Sequence, residues 1–266
     1  FTLPLVYANS SFPSSSDGTL YINKSKTRKV APVKYGFHYE EIGMMGEGAL
    51  HAELIRNRSF EEATPPAGLS VKNGLYENVP APRVKEKKVF QADPLIGWTT
   101  YPLSYTPVFI SRTDENPMSG ENKYSMLVNV TEDIANHPDA LILNRGYYGM
   151  NLKTDTSYRL SLFLKNRNYS APLRVFLVDE WGQRVSNVIE VNVGNRDWTK
   201  YTGELKPEKN VRRGMFAIQP MSKGQFQIDV VSLFPSDTWN DGKSVFRKDI
   251  VQNLKEFSPS FIRFPG

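Results

Sequence analysis

Two adjacent carboxylates, Glu40 and Glu41, follow a run of alternating aromatic residues, Tyr35, Phe37 and Tyr39. The alternation predicts a β-strand, and the glycine-rich stretch after the carboxylates predicts a turn. Barrels of β/α units carry their ligand-contacting groups at the carboxyl ends of strands. Glu40 is therefore the first candidate for such a group, with Glu41 on the opposite side of the strand. The alternative is a solvated loop carboxylate.

Arg263 is the second candidate, because it stands between apolar residues in the run FIRFPG. A guanidinium group on a buried strand is costly unless it is paired. An acidic partner is therefore expected, and Glu40 on a neighbouring strand is the candidate. An interior salt bridge without ligand contact is the alternative reading of the same charge.

The elements that must position these residues divide the chain into five parts. Leu50, Leu54 and Ile55 predict a helix after the first strand, and residues 243–257 and 260–264 predict a second helix and a strand. The parts are N-terminal strands (1–33), a first β/α unit (34–62), a Pro- and Gly-rich linker (63–83), a β-sandwich (84–235), and a returning helix and strand (236–266).

The long middle part has a β pattern throughout. Candidate strands between Val108 and Leu233 recur about every ten residues, which is typical of an antiparallel sandwich or jelly roll. One apolar stripe runs from Tyr158 to Leu164 at every second residue, and another comprises Phe226, Ile228 and Val230. The predicted fold class is mainly β: a jelly-roll sandwich with flanking α/β segments.

Aromatic residues of the sandwich are candidates for stacking on sugar rings. Trp98, in GWTTY, and Tyr147 and Tyr148, in a glycine-flanked turn, are the ones predicted to be exposed. Packing in the core or at an edge is the alternative for all of them. The wider set comprises Trp98, Tyr101, Tyr105, Tyr147, Tyr148, Trp181 and Trp198.

Metal and cofactor chemistry is not predicted. His51 and His137 have no partner at metal-ligand spacing, His38 is interpreted as structural, and no compact Asp/Asn cluster argues for calcium. The glycines of GMMGEG match neither a phosphate-binding loop nor a dinucleotide fingerprint.

Composition excludes several classes of protein. The net charge of +5 is spread out and no basic run is long enough for nucleic acid. No stretch approaches the ~20 apolar residues of a membrane span. Cysteine is absent, which excludes disulfides and thiol catalysis. The first residue is Phe1, and the apolar and serine-rich opening is compatible with a cleaved signal region, so a secreted, periplasmic or cell-surface location is expected.

Three runs carry a resemblance to a known family. YGFHYEEIGMMGEGALHAELIRNRSFE resembles the N-terminal signature of family 51 glycoside hydrolases, the α-L-arabinofuranosidases. VSLFPSDTW…FRKDIVQNLKEFSPSFIRFPG is similar to the segment that re-enters their catalytic barrel. HPDALILNRGYYGMNLKTDTSYRLSLFLK resembles their inserted jelly-roll domain, which is like a carbohydrate-binding module. The resemblance covers residues 35–266.

The resemblance implies roles for the candidates. Glu40 would hydrogen-bond the hydroxyls of the sugar, and Arg263 would lie near the substrate. The family's retaining mechanism uses two glutamates whose carboxyls are about 5–5.5 Å apart. Both stand on later barrel strands, beyond the position of Gly266, so no catalytic residue is assigned and the chain is expected to be inactive alone.

The implied function is that of the N-terminal part of an enzyme that removes terminal α-L-arabinofuranosyl residues from arabinan, arabinoxylan or similar plant polysaccharides. Its expected partners are that polysaccharide and the remainder of the barrel. A stand-alone, non-catalytic carbohydrate-binding sandwich is the alternative. Because isolated barrel strands leave unpaired edges, residues 34–62 and 243–266 are expected either to pack onto the sandwich or to cause self-association.

Overall fold

The alternating pattern of the middle of the chain forms antiparallel sheets in the structure, a computed structural model that describes residues 25, 35–41, 44–62, 69–72, 75–78, 89–91, 93–103 and 105–263. The chain divides into two compact units: unit 1 comprises residues up to 42 and from 252 onward, and unit 2 comprises residues 43–251. The predicted mainly-β fold class is confirmed. The strands predicted in residues 1–33 lie outside the described residues.

The described elements follow in chain order, with helix α1 (Lys248–Phe257) between the last two strands. A 3₁₀ turn lies at Ile134–Asn136. The segment Gly46–Leu50 is called the π-helical turn after its hydrogen-bond spacing, since Leu50 N donates to Met45 O and His51 N to Gly46 O, although Glu47 and Gly48 have non-helical backbone angles. The strands are β1 (Phe37–His38), β2 (Leu69–Lys72), β3 (Leu75–Asn78), β4 (Val89–Gln91), β5 (Trp98–Tyr101), β6 (Val108–Thr113), β7 (Ser125–Val130), β8 (Leu141–Asn144), β9 (Met150–Leu152), β10 (Tyr158–Asn166), β11 (Pro172–Val178), β12 (Ile189–Asn192), β13 (Thr199–Leu205), β14 (Val211–Gln219), β15 (Gly224–Pro235) and β16 (Ile262–Arg263).

Unit 2 is a sandwich of two antiparallel sheets. The first sheet has the order β13-β10-β15-β7-β6, and the second has the order β12-β11-β14-β8-β5, with β9 paired to β14. Leu160 and Leu162 of the first sheet and Val175 and Phe216 of the second belong to one buried cluster. The core therefore lies between the sheets, where the period of two brings every second side chain inward.

Strand β15 departs from its predicted stripe at Val230. Phe226 and Ile228 are fully buried, but Val230 has a positive φ of 44° and the pairing with β10 shifts register beside it. After this irregularity Val231 and Leu233 are the buried residues. A bulge of this kind moves the alternation by one residue, so the predicted inward position of Val230 is wrong.

The helix predicted from Leu50, Leu54 and Ile55 is also wrong. Beyond the π-helical turn the chain crosses the sandwich without helical structure, and its backbone amides donate to remote carbonyls. Ala52 N donates to Val245 O at 2.8 Å, and Leu54 N donates to Leu233 O at 3.0 Å. Because these partners replace the local ones, a helix does not form.

The residues after the π-helical turn pack onto the sandwich, which is one of the two outcomes expected for the segment 34–62. Ala52, Ile55 and Phe60 are buried. Glu53 is only 3% exposed, and its carboxylate accepts hydrogen bonds from Ser232 Oγ, Leu233 N and Ile55 N at 2.6, 2.8 and 3.0 Å. This buried acceptor ties the segment to strand β15.

Other boundaries differ from the predictions. The segment 63–83, predicted as a linker, contains β2 and β3, which form a three-stranded sheet with β4. Helix α1 begins at Lys248 rather than Lys243, because Arg247 N donates to Leu50 O and Trp239 N to Phe246 O in the preceding turns. The boundary between the units at residues 42 and 43 divides the predicted β/α unit of residues 34–62.

Candidate functional site

Strands β1 and β16 of unit 1 carry the two residues predicted to contact a ligand. They pair in parallel with Phe37 opposite Ile262 and His38 opposite Arg263. Phe37 N donates to Phe261 O at 3.0 Å, and Tyr39 N donates to Arg263 O at 2.9 Å. Side chains alternate along a strand and paired residues share a face, so this register puts His38, Glu40 and Arg263 on one face.

The opposite face of the pair is aromatic. The ring of Phe257, at the end of α1, lies 5.0 Å from the ring of Tyr35 and 5.0 Å from that of Phe37. Tyr35 also donates its hydroxyl proton to Phe257 O. The helix end therefore packs on the Phe37 face and leaves the His38 face to polar groups, as a β/α unit requires.

Glu40 is paired with His38 rather than with Arg263. The distance from His38 Nε2 to Glu40 Oε1 is 2.9 Å, and both side chains are partly exposed. Among the described residues no ion pair joins Glu40 to Arg263, so the predicted pairing is wrong in this structure. The prediction assumed that the guanidinium group of Arg263 is buried. Arg263 is exposed, so water can solvate its charge.

Among its described residues, this face has groups that can form hydrogen bonds with hydroxyl groups, and it carries one carboxylate rather than two. One partly exposed carboxylate accepts hydrogen bonds from hydroxyl groups, and an imidazole and a guanidinium can donate. Hydrolysis of a glycosidic bond needs two carboxyls at a set separation. Glu41, the adjacent carboxylate, points to the opposite face by the alternation of the strand.

Trp98 is not on the surface. It is 6% exposed, its ring lies 5.6 Å from that of Phe60 and 6.3 Å from that of Phe216, and its Nε1 donates to Asn57 O at 3.1 Å. The predicted exposure of Trp98 is wrong, because the segment that contains Phe60 covers it. A ring buried in this way presents no face to a sugar.

The two tyrosines predicted beside it differ from each other. Tyr148 is 78% exposed. Tyr147 is half-buried: its ring packs so closely on Gly48 that an added Cβ there would lie 2.5 Å away, and its hydroxyl lies 3.4 Å from Glu47 Oε2. Burial, with Glu47 as the next cause, raises the pKa of Tyr147 well above its usual range. Of the two, Tyr148 has the more accessible ring.

A groove on unit 2 brings two members of the wider aromatic set, Tyr101 and Trp181, together with residues that were not predicted to belong to a site. It has a volume of about 460 Å³ and is lined by Tyr101, Phe176, Trp181 and both Arg174 and Arg184, among others. Trp181 lies in the turn sequence DEWGQ between two strands. The Asp and Gly of that sequence favour a turn, and they are the signal that could have indicated its exposure.

Neither metal binding nor a membrane span is indicated in the part of the chain that the structure describes. No group of three or more His, Asp or Glu side chains there is placed to hold a metal ion. None of the helices in the described ranges is long and apolar enough to cross a membrane.

The fold of the chain is similar to part of a solved structure. A solved arabinose-bound family 51 α-L-arabinofuranosidase matches it with a TM-score of 0.66 and 23% identity, over 88% of this chain and 34% of that one. No protein-family model matches the chain.

The chain is also similar in sequence to curated arabinofuranosidases. The chain is 26% identical to α-L-arabinofuranosidase 1 of Arabidopsis thaliana over 244 residues, which are 90% of this chain and 32% of the relative. It is 25% identical to the extracellular exo-α-L-arabinofuranosidase of Streptomyces chartreusis, over 91% of this chain and 25% of the relative. The resemblance to family 51 glycoside hydrolases is therefore confirmed. The chain spans about a third or less of the length of these relatives.

Proposed function

We propose that this chain is part of a family 51 glycoside hydrolase that removes terminal α-L-arabinofuranosyl residues from plant polysaccharides such as arabinan and arabinoxylan. The observation that carries the proposal is the extent of the similarity, since relatives named arabinofuranosidases align with about nine-tenths of the chain. The extracellular relative from Streptomyces supports a secreted location.

In this proposal unit 1 supplies substrate-binding groups. Glu40 accepts hydrogen bonds from hydroxyls of the arabinofuranosyl ring, and His38 orients the Glu40 carboxylate through their 2.9 Å contact. Arg263, on the same face of the strand pair, donates to the substrate. The acid/base and nucleophile belong to barrel strands other than β1 and β16, so the polar face completes a site that the rest of the barrel closes.

The exposed apolar residues of unit 1 fit the same role. Tyr35, Phe257, Phe261 and Ile262 are each between 44% and 55% exposed around the two-stranded pair. A β/α unit of a barrel buries such residues against neighbouring units. The remaining barrel is therefore the partner proposed for this surface, and association of two copies is the competing use of it.

Binding of an arabinan-derived oligosaccharide tests the role of Glu40. Saturation-transfer NMR detects weak complexes, and Glu40→Gln should weaken binding about tenfold because a charged acceptor is lost. Glu41→Gln is the matched control, since that carboxylate lies on the opposite face. Equal weakening by both variants, or by neither, would contradict the assignment of Glu40. Hydrolysis of 4-nitrophenyl α-L-arabinofuranoside by the chain alone would contradict the absence of a catalytic pair.

Carbohydrate binding by the sandwich itself is the second candidate function. Two large aromatic side chains in turns of unit 2, Tyr148 and Trp181, are 78% and 69% exposed, which is unusual for rings that could be buried. Tyr147 contributes less accessible surface next to Tyr148. Retention of the protein by polysaccharide gels, unaffected by Glu40→Gln, would separate this function from the first.

A further inference from the structure

The outer face of the second sheet of unit 2 carries its own apolar floor. Leu141, Leu143, Phe176 and Met215 form a buried cluster separate from the main core, and Tyr101 packs against it. The groove of about 460 Å³ lies on this face, with Tyr101, Leu141 and Phe176 in its lining. This volume is in the range of small-ligand sites. The packing that forms this apolar floor is thus separate from the core between the two sheets.

Trp181 stands at the groove on a rigid turn. The carboxylate of Asp179 accepts hydrogen bonds from Trp181 N at 3.1 Å and Gln183 N at 2.9 Å through Oδ1, and from Lys209 Nζ at 3.0 Å through Oδ2. Asp179 is only 4% exposed, whereas Trp181 is 69% exposed. A buried carboxylate therefore fixes the backbone that presents an exposed indole, so little freedom is lost when a ligand stacks on it.

The turn also closes against the groove floor. Gly182 has a φ of 82°, which favours glycine, and a Cβ added there would lie 3.7 Å from the ring of Tyr101. The backbone next to Trp181 therefore lies against Tyr101, and both residues line the groove. Two aromatic groups at one groove, one exposed and one packed on the floor, form a surface suited to a flat apolar ring face.

The charge of the groove is close to balanced. Arg174, Arg184 and Asp139 are the charged residues of its lining. Each arginine has a glutamate partner: Arg174 Nε lies 3.2 Å from Glu190 Oε1, and Arg184 Nη1 lies 3.7 Å from Glu208 Oε1. A polyanion would need unpaired cations, so the lining favours a neutral ligand with many hydroxyl groups.

We propose that this groove binds a neutral oligosaccharide, with Trp181 stacking on the C–H face of a sugar ring and the polar rim hydrogen-bonding its hydroxyls. Gln183 and Gln219 are among the rim residues able to donate and accept. This assignment locates the sandwich's binding function and rests on that second candidate, not on Glu40, because the groove belongs entirely to unit 2.

Affinity electrophoresis of the whole chain in gels containing arabinan, arabinoxylan or polygalacturonate tests the proposal. The neutral polysaccharides should retard the protein, and Trp181→Ala should weaken retention at least about tenfold. Trp181→Phe keeps an aromatic face and should recover much of the retention. Phe109→Ala is the matched control, because Phe109 is 57% exposed and lies on β6 of the other sheet.

Three results would overturn the proposal: full retention of Trp181→Ala, no retention of the unaltered protein by either neutral gel, or retention by polygalacturonate alone. Circular dichroism of each variant checks that the sandwich is folded. Glu40→Gln in the same gels separates the two functions, since it should leave retention through the groove unchanged. Its effect on the oligosaccharide complex is measured by NMR in the Trp181→Ala background, in which the groove no longer contributes to binding.

Discussion

Replacing Asp229 with asparagine should make the stability of the protein less dependent on pH. Asp229 is completely buried on β15. Its Oδ1 accepts a hydrogen bond from Val230 N at 2.7 Å, and Oδ2 has no hydrogen-bond partner among the described residues. Burial raises the pKa of Asp229 from 3.8 to about 7; Glu61 adds to the effect and Arg58 opposes it.

The raised pKa of Asp229 determines whether the free energy of unfolding rises or falls with pH. Between about pH 4 and about pH 7 the folded protein keeps a proton on Asp229 that the unfolded chain has released. The free energy of unfolding therefore falls as the pH rises through this window. A pKa raised from 3.8 to about 7 corresponds to about 4 kcal/mol, since each pH unit is worth about 1.4 kcal/mol.

Asparagine has the shape of the protonated acid but never ionises. Its amide carries two N–H donors at the Oδ2 position where the protonated acid carries one O–H, and the additional unpartnered buried donor costs about 1–3 kcal/mol at every pH. Asp229→Asn should thus be less stable than the unaltered protein near pH 4. Near about pH 8, where the unaltered protein has lost about 4 kcal/mol, the variant should be the more stable by about 1–3 kcal/mol.

Urea denaturation from about pH 4 to about pH 8 measures the difference between the two proteins. Asp179→Asn is the control. Burial acts to raise the pKa of Asp179, but hydrogen bonds from Lys209 and from the turn backbone lower it overall. Its stabilisation is lost only as the pH falls below its usual pKa, so this variant should show a constant deficit over the range. A flat difference for Asp229→Asn as well would refute the reasoning.

Two further substitutions test the packing of the two units. Phe60→Ala removes a fully buried ring from unit 2 and should lower the free energy of unfolding by about 3–5 kcal/mol in urea titrations; a loss under about 1 kcal/mol would mean that the segment does not pack on the core. Gly36→Ala places a Cβ 2.5 Å from Phe261 O, so it should separate β1 from β16. Faster hydrogen exchange at the amides of Phe37 and Tyr39 would report that separation, and unchanged exchange would argue against the pairing.

The sandwich could be predicted from the sequence because its signal is local. The stripe from Tyr158 to Leu164 occupies every second position, and the strand observed there, Tyr158–Asn166, begins at the same residue and ends two residues later. The same period placed Glu40 on the face opposite Glu41. Alternation requires only that successive side chains point to opposite sides, which is a property of any extended strand.

The partner of Glu40 could not be predicted in this way. Local sequence puts His38 and Glu40 on one face of β1, and only the pairing of β1 with β16 brings Arg263 beside His38. Whether the guanidinium then needs a carboxylate depends on its burial, and Arg263 is exposed. The predicted ion pair was wrong because burial is a property of the surroundings rather than of the apolar neighbours in the sequence.

Two tryptophans, Trp98 and Trp181, also show that burial depends on tertiary surroundings rather than on sequence neighbours. Trp98 and Trp181 both stand next to a glycine, and exposure was predicted for Trp98 rather than for Trp181 in its turn sequence. Phe60, from a remote segment that gives its backbone hydrogen bonds to the sandwich instead of forming a helix, closes over Trp98. Trp181 is held outward by the buried carboxylate of Asp179. The sequence by itself determined the strands and their faces, because these depend on neighbours along the chain; the tertiary structure alone decided which side chains remain exposed, because covering a surface takes residues that are distant in sequence.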